Sequence, residues 1–408
     1  MENKKWFRTY LFIWSGQFIS MLSSYAVNFA VIIWLSLHYR SAEVLAFAGI
    51  AGMLPQAVIG PFAGVFIDRW DRKKVMIFSD VFIALCTWAM TFVLNDDGAD
   101  LIWIYLLLGC RSVGTAFHSP AMQAVAPLLV PEQALLRVSG INQMLQSVSS
   151  IAGPALGTLA ITYFPISRVL YLDVIGALAA VTSLLFVTIP RLKTGNESSV
   201  SAVVTELKEG FQAILGNRGL SFLFLYAMIA TFFIMPVAVM FPLLTTGHYA
   251  GGKWEMSLIE IVWGIGMLVG GSILGVMRVD ISKVILVNAM HILLGLTFVL
   301  SGYFPASWFV GFVVLTTIGG IGMSVFSAAF MTIIQEEVAP NMLGRVFSLY
   351  FSIAVLPSII GLLFTGFIAE VIGVANAFMI SGGMMMVVGI VSFFTPVLMQ
   401  LGKEKSTP

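Results

Sequence analysis

The sequence predicts an all-α integral membrane protein, with twelve transmembrane helices in two six-helix bundles and both termini cytoplasmic. Three observations predict it. The 408 residues are 59% hydrophobic and only 10% charged, against about 45–50% apolar and about 25% charged in soluble domains. Mainly apolar stretches of the length that crosses hydrocarbon recur near 10–37, 44–67, 75–94, 101–127, 138–163, 168–189, 220–244, 255–277, 283–301, 307–335, 345–371 and 375–400. The basic residues are one-sided: of 21 Lys and Arg, seventeen fall on the side of the termini, Arg40, Arg168 and Lys253 fall opposite, and Arg111 lies inside an apolar run. By the positive-inside rule the termini then face the cytoplasm.

The first apolar run has no small-residue cleavage site at signal-peptide length, so it reads as a helix that stays in the membrane. Residues 1–189 form an N-terminal six-helix bundle and 220–408 a C-terminal one, joined by a cytoplasmic linker over 190–219. The linker opens on the polar stretch Lys193–Ser201. It continues with Val200, Val203, Val204, Leu207, Phe211, Ile214 and Leu215 at helical spacing, which predicts an amphipathic helix on the membrane surface. Cys86 and Cys110 sit in apolar segments and read as core residues, not as a disulfide framework. The halves repeat at an offset of 208 residues: Gly114 with Gly322, Ser119 with Ser327, Val130 with Val338, Arg137 and Val138 with Arg345 and Val346, and Gly153 with Gly361.

Between the second and third helices the chain runs Gly60-Pro-Phe-Ala-Gly64-Val-Phe-Ile-Asp68-Arg69-Trp-Asp71-Arg72-Lys73-Lys74. Charges of either sign are costly in hydrocarbon, so the cluster marks a turn in water, and glycines four residues apart let helices approach closely. This pattern resembles the loop signature of the major facilitator superfamily, with Asp71 where many members have glycine. The resemblance implies two bundles related by an axis along the membrane normal, with substrate bound near the midplane. It also marks Gly64, Asp68, Arg69 and Arg72 as a conformational lock. A decayed second copy survives as Gly271, Gly275, Arg278, Asp280 and Lys283.

Arg111 lies about ten residues into the fourth helix, hence about 15 Å deep, too deep for easy snorkelling, and an ionisable group there is a functional hypothesis by default. Thr115, His118 and Met122 share its face. Leu108-Gly109-Cys110-Arg111-Ser112-Val113-Gly114 resembles the superfamily's fourth-helix motif, with Val113 where Gln is common. A structural Arg paired with a carboxylate is the alternative. On the fifth helix Gly140, Gly153, Pro154 and Gly157 match the spacing of the motif associated with antiporters, Ser149 and Thr158 replacing two of its glycines. Small residues permit a close helix pair and Pro bends the helix.

Gln17, Ser20, Ser24 and Asn28 on the first helix fall in a narrow arc, as do Asn142, Gln146, Ser149 and Gly153 on the fifth. These stripes suit either a hydrated substrate cavity or polar glue between helices. Proton coupling needs a carboxylate or histidine tuned by burial and neighbours. The first helix has no acid, which leaves Asp80, Asp173, Glu260, His118 and His291, with Arg111 as their possible partner. Asp80 could equally anchor Arg69 or Arg72, and Asp173 and Glu260 could sit at the outer membrane interface.

There is no phosphate-binding Gly-x4-Gly-Lys-Ser/Thr loop, zinc-protease helix or nucleophile elbow. The chain therefore reads as no enzyme, with no catalytic residue, metal or cofactor, and nothing in it calls for a separate ATPase subunit or for nucleic acid. Phe62 to Val75, Arg111 to Met122, Phe241-Pro242-Leu243 and Leu343-Gly344-Arg345-Val346-Phe347-Ser348-Leu349 together resemble the macrolide-efflux proteins of the drug/proton antiporter branch. That resemblance implies a multi-pass protein of the bacterial inner membrane that exports an amphiphilic macrolide in exchange for protons. Export of a siderophore or lysophospholipid by the same fold is the alternative.

Overall fold

The structure is a computed structural model that describes residues 5–94, 100–131, 135–189, 200–276, 281–338, 342, 346–347, 349–350 and 355–401. Its elements are α1 Lys5–Tyr39, α2 Ala42–Arg69, α3 Arg72–Val93, α4 Leu101–Leu129, α5 Leu135–Tyr163, α6 Ile166–Val169, α7 Tyr171–Leu185 and α8 Val200–Gly216. They continue with α9 Arg218–Leu243, α10 Lys253–Val276, α11 Lys283–Tyr303, α12 Phe309–Glu337, α13 Val355–Ile372, α14 Val374–Phe393 and α15 Pro396–Met399. Among the described residues eleven helices are long and apolar enough to cross a membrane. With α5, 29 residues long, they stand in the order the hydropathy predicts.

Boundaries differ where local chemistry intervenes. The predicted sixth helix, 168–189, is a single turn, α6, followed by α7, which ends at Leu185. The predicted twelfth, 375–400, stops at Phe393 because Pro396 restricts Thr395 to extended backbone. After Pro242, α9 runs into a π-turn over Leu244–His248. The predicted linker helix is α8, while 190–199 lie outside the described residues. Asp71, the departure noted in the loop signature, is the N-cap of α3 and accepts from the Lys74 amide at 3.3 Å. A carboxylate there satisfies an otherwise unpaired helix-end donor.

The chain packs as two compact units, one of Met1–Leu35 with Ala48–Val203, the other of Ser36–Phe47 with Val204–Pro408. The turn joining α1 to α2 therefore counts with the second unit, where Ser41 Oγ donates to Glu370 Oε1 at 2.5 Å. In the first unit α3 runs against α4 and α7. Its core gathers Tyr10 and Trp14 of α1, Met76 of α3, Val125 of α4 and Leu184 of α7. In the second unit α11 packs on α12 and α14, α10 on α12, and α9 on α13. That core includes Leu220, Leu223, Phe330, Ile334 and Leu398. Cys86 and Cys110 are free thiols.

Candidate functional site: two polar tiers in the first unit

The first unit holds two tiers of buried polar groups on α1, α3, α4 and α7. In one, Asp173 of α7, 1% exposed, is the acceptor for three donors. Arg111 Nη2 lies 2.9 Å from its Oδ2, Thr87 Oγ1 donates to the same oxygen at 2.7 Å, and Ser24 Oγ donates to Oδ1 at 2.5 Å. The other arm of the guanidinium, Nη1, donates to Asn28 Oδ1 at 2.8 Å. A buried ion pair is tolerable when extra hydrogen bonds occupy its remaining lone pairs. The planar fork of Arg111 bridges α1 and α7 at once, while α3 contributes Thr87.

The second tier is looser. His118 Nε2 of α4 is 3.2 Å from Asp80 Oδ1 of α3, but it is not aligned as a hydrogen bond. Gln17 Nε2 of α1 reaches Asp80 Oδ2 at 3.4 Å, and Gln17 Oε1 has no partner among the described residues. Seven residues separate Gln17 from Ser24, Asp80 from Thr87, and Arg111 from His118. Two helical turns, about 10.5 Å at 1.5 Å per residue, thus set the tiers apart on three neighbouring helices.

The structure accordingly divides the predicted proton-coupling residues. Arg111 joins Asp173, which is buried, and His118 joins Asp80. Thr115, on the Arg111 face, donates to the carbonyl of Arg111 itself at 3.1 Å. Glu260 belongs to α10 of the second unit. His291 lies on α11 of the same unit, 1% exposed, with its ring 4.9 Å from Phe326 and both ring nitrogens without a hydrogen-bond partner among the described residues.

The first-helix stripe mostly serves the tiers. Gln17, Ser24 and Asn28 all bond to them, whereas Ser20 offers its carbonyl to Ser23 Oγ at 2.9 Å. On α5, Asn142 Oδ1 accepts from Tyr10 Oη at 2.7 Å, and Gln146 is exposed. Thr87 and Tyr10 escaped the sequence reading. For Thr87 a signal existed, since it follows Asp80 by two turns on one face.

The antiporter-spaced residues put α5 against α1. A Cβ added at Gly153 would lie 2.5 Å from Tyr25 Cβ, and one at Gly157 would collide with the Ala26 carbonyl oxygen. Pro154 is buried inside α5. Ser149 and Thr158, standing where the motif has glycine, are fully buried, and their hydroxyls have no partner among the described residues. Gly60 does not repeat this arrangement: among the described residues nothing lies within 4 Å of a Cβ placed there. The side chains of Gly64, Asp68, Arg69 and Gly140 lie outside the described residues, and Arg72 opens α3 half-buried. Lys73 donates to the Val187 carbonyl at 2.7 Å, pinning the start of α3 to the segment after α7.

Residues 13–287 match the Major Facilitator Superfamily. The chain is 36% identical over 390 residues to macrolide efflux protein A of Streptococcus pyogenes, covering 96% of each chain. It is 38% identical over 322 residues to macrolide efflux protein A of Enterococcus faecalis, covering 79% of this chain and 99% of that one. The multidrug efflux pump Tap of Mycolicibacterium fortuitum is 25% identical over 380 residues, 90% of this chain and 91% of that. Among solved structures, a variant of the nucleoside transporter NupG superposes with a TM-score of 0.77 at 13% identity, over 95% of this chain and 99% of that. A bacterial homologue of the lysosomal transporter Spinster gives 0.70 at 13% identity, over 99% of each. The chain is a multi-pass membrane transporter that belongs to the Major Facilitator Superfamily.

Proposed function

We propose that this transporter exports macrolide-type antibiotics across the bacterial inner membrane, each export step exchanged for protons moving inward. The observation that carries the reading is the near full-length similarity to macrolide efflux protein A. The buried titratable core of the first unit supports the proton half: carboxylates held inside membrane helices beside an Arg and a His are the groups such exchange requires. The second reading, export of a siderophore or lysophospholipid, has no comparable observation behind it.

Asp68, with Gly64, Arg69 and Arg72, serves as the cytoplasmic lock in this proposal, and the lipid bilayer and the amphiphilic drug are the partners. Susceptibility of a drug-sensitive bacterium expressing the chain, measured across antibiotic classes, tests the substrate. Resistance should rise for macrolides; unchanged macrolide susceptibility with good membrane expression would refute it.

A further inference from the structure

The two tiers differ in how a proton could enter them. Asp173 already accepts from Arg111, Thr87 and Ser24 at 2.9, 2.7 and 2.5 Å. Its charge is matched by a guanidinium that stays protonated. A proton added at Asp173 would take that pair from zero net charge to +1, leaving a cation uncompensated in a low-dielectric interior, the costly arrangement for a buried pair.

Asp80 and His118 differ on each count. Both partners titrate. They are 3.2 Å apart without hydrogen-bond alignment, and the amide of Gln17 is at the long limit of 3.4 Å. With a neutral imidazole the pair carries −1, and one added proton brings it to zero. The His118 side chain keeps 16% of its surface exposed, against 7% for Arg111 and 2% for Asp173, so it is the least enclosed of the three.

Among the described residues, no other charged side chain is paired with Asp80 or His118. From α1 the facing residue is Gln17, which is uncharged. From α4 it is His118, with Arg111 two turns away and committed to Asp173. The titratable residue of α7 near these helices, Asp173, belongs to the other tier, and Arg168 of α6, which also packs on α3, is exposed.

From this geometry we infer that Asp80 and His118 together are the proton-exchanging site of the first unit, while Arg111 and Asp173 are a fixed ion pair that keeps its charge throughout the cycle. The inference deepens the proton-exchange reading and rests on it for its role in transport. On this assignment the pair holds one exchangeable proton, on the carboxyl of Asp80 or the imidazole of His118.

Infrared pH-difference spectra of the purified full-length protein in lipid nanodiscs test it without reference to any substrate. A buried-carboxyl band that titrates in the wild type should vanish in Asp80→Asn and persist in Asp173→Asn. In His118→Gln, which retains the carboxylate and serves if Asp80→Asn does not fold, its midpoint should move. A band unaffected by Asp80→Asn and by His118→Gln, or one lost in Asp173→Asn, would overturn the assignment. Counterflow of radiolabelled erythromycin in proteoliposomes adds the transport arm. Asp80→Asn should keep exchange without a gradient but lose gradient-driven accumulation. Wild-type protein that shows the band yet moves no erythromycin would count against the macrolide reading and leave the proton site standing.

Discussion

Gly361 stands to Phe232 as Gly153 stands to Tyr25. Each glycine, 208 residues from its counterpart, lets its helix meet the backbone of the first long helix of its own bundle. A Cβ at Gly153 would sit 3.2 Å from the Tyr25 carbonyl carbon, and one at Gly361 would collide with the Phe232 carbonyl oxygen. The repeat visible in the sequence is thus a repeat of contacts. Larger residues must force the paired helices apart, at a cost of about 1–3 kcal/mol. Gly153→Leu and Gly361→Leu should each lower the thermal midpoint of the detergent-purified protein and reduce export.

Gly60 supplies the contrast. With no described atom within 4 Å of its Cβ position, Gly60→Ala should leave stability unchanged or raise it by up to about 1 kcal/mol through helix propensity. Gly157→Ala, which meets the Ala26 carbonyl, should destabilise. Parallel thermal unfolding of the two variants checks the order, and equal effects would refute the packing described.

Removing Arg111 should be severe, because Asp173 is left charged, buried and uncompensated. Arg111→Ala is expected to cost about 3–5 kcal/mol. Removing both charges in Arg111→Ala with Asp173→Ala should cost less than the two single changes added together. Arg111→Lys keeps the charge but cannot reach Asn28 and Asp173 together, so it should recover only part of the loss. Denaturation of the parent and these four variants in one detergent measures the coupling.

Tyr10→Phe deletes the 2.7 Å bond to Asn142 and nothing else. Interhelical hydrogen bonds in membranes are worth about 0.6 kcal/mol on average. The variant should therefore be nearly as stable as the parent and export normally. A large transport defect would return Asn142 to the substrate pathway.

The fold was legible because its signal is one-dimensional. Runs of apolar residues and the sidedness of Lys and Arg need no knowledge of which helix touches which. The depth of Arg111 was legible in the same way. Its partner was not, since periodicity places Asp173 on a helix but not that helix beside α4, and both acids and His118 looked equivalent on paper. Pairing of Asp80 with His118 instead of Arg72 depends on the antiparallel register of α3 and α4, which only packing fixes. The glycines show the same limit: Gly60 and Gly153 read alike, and neighbours alone distinguish them.

The lock proposed at the turn between α2 and α3 is checked through Asp68. Asp68→Asn should insert into the membrane at normal levels and export poorly. Unchanged export at equal expression would remove Asp68 from the mechanism.

Uptake by inside-out membrane vesicles tests the central claim most directly. With an inward-acid proton gradient imposed and ATP absent, vesicles bearing this chain should accumulate radiolabelled erythromycin, and a protonophore should abolish the accumulation. Uptake that survives the protonophore, or that appears only when ATP is supplied, would contradict proton-driven macrolide export.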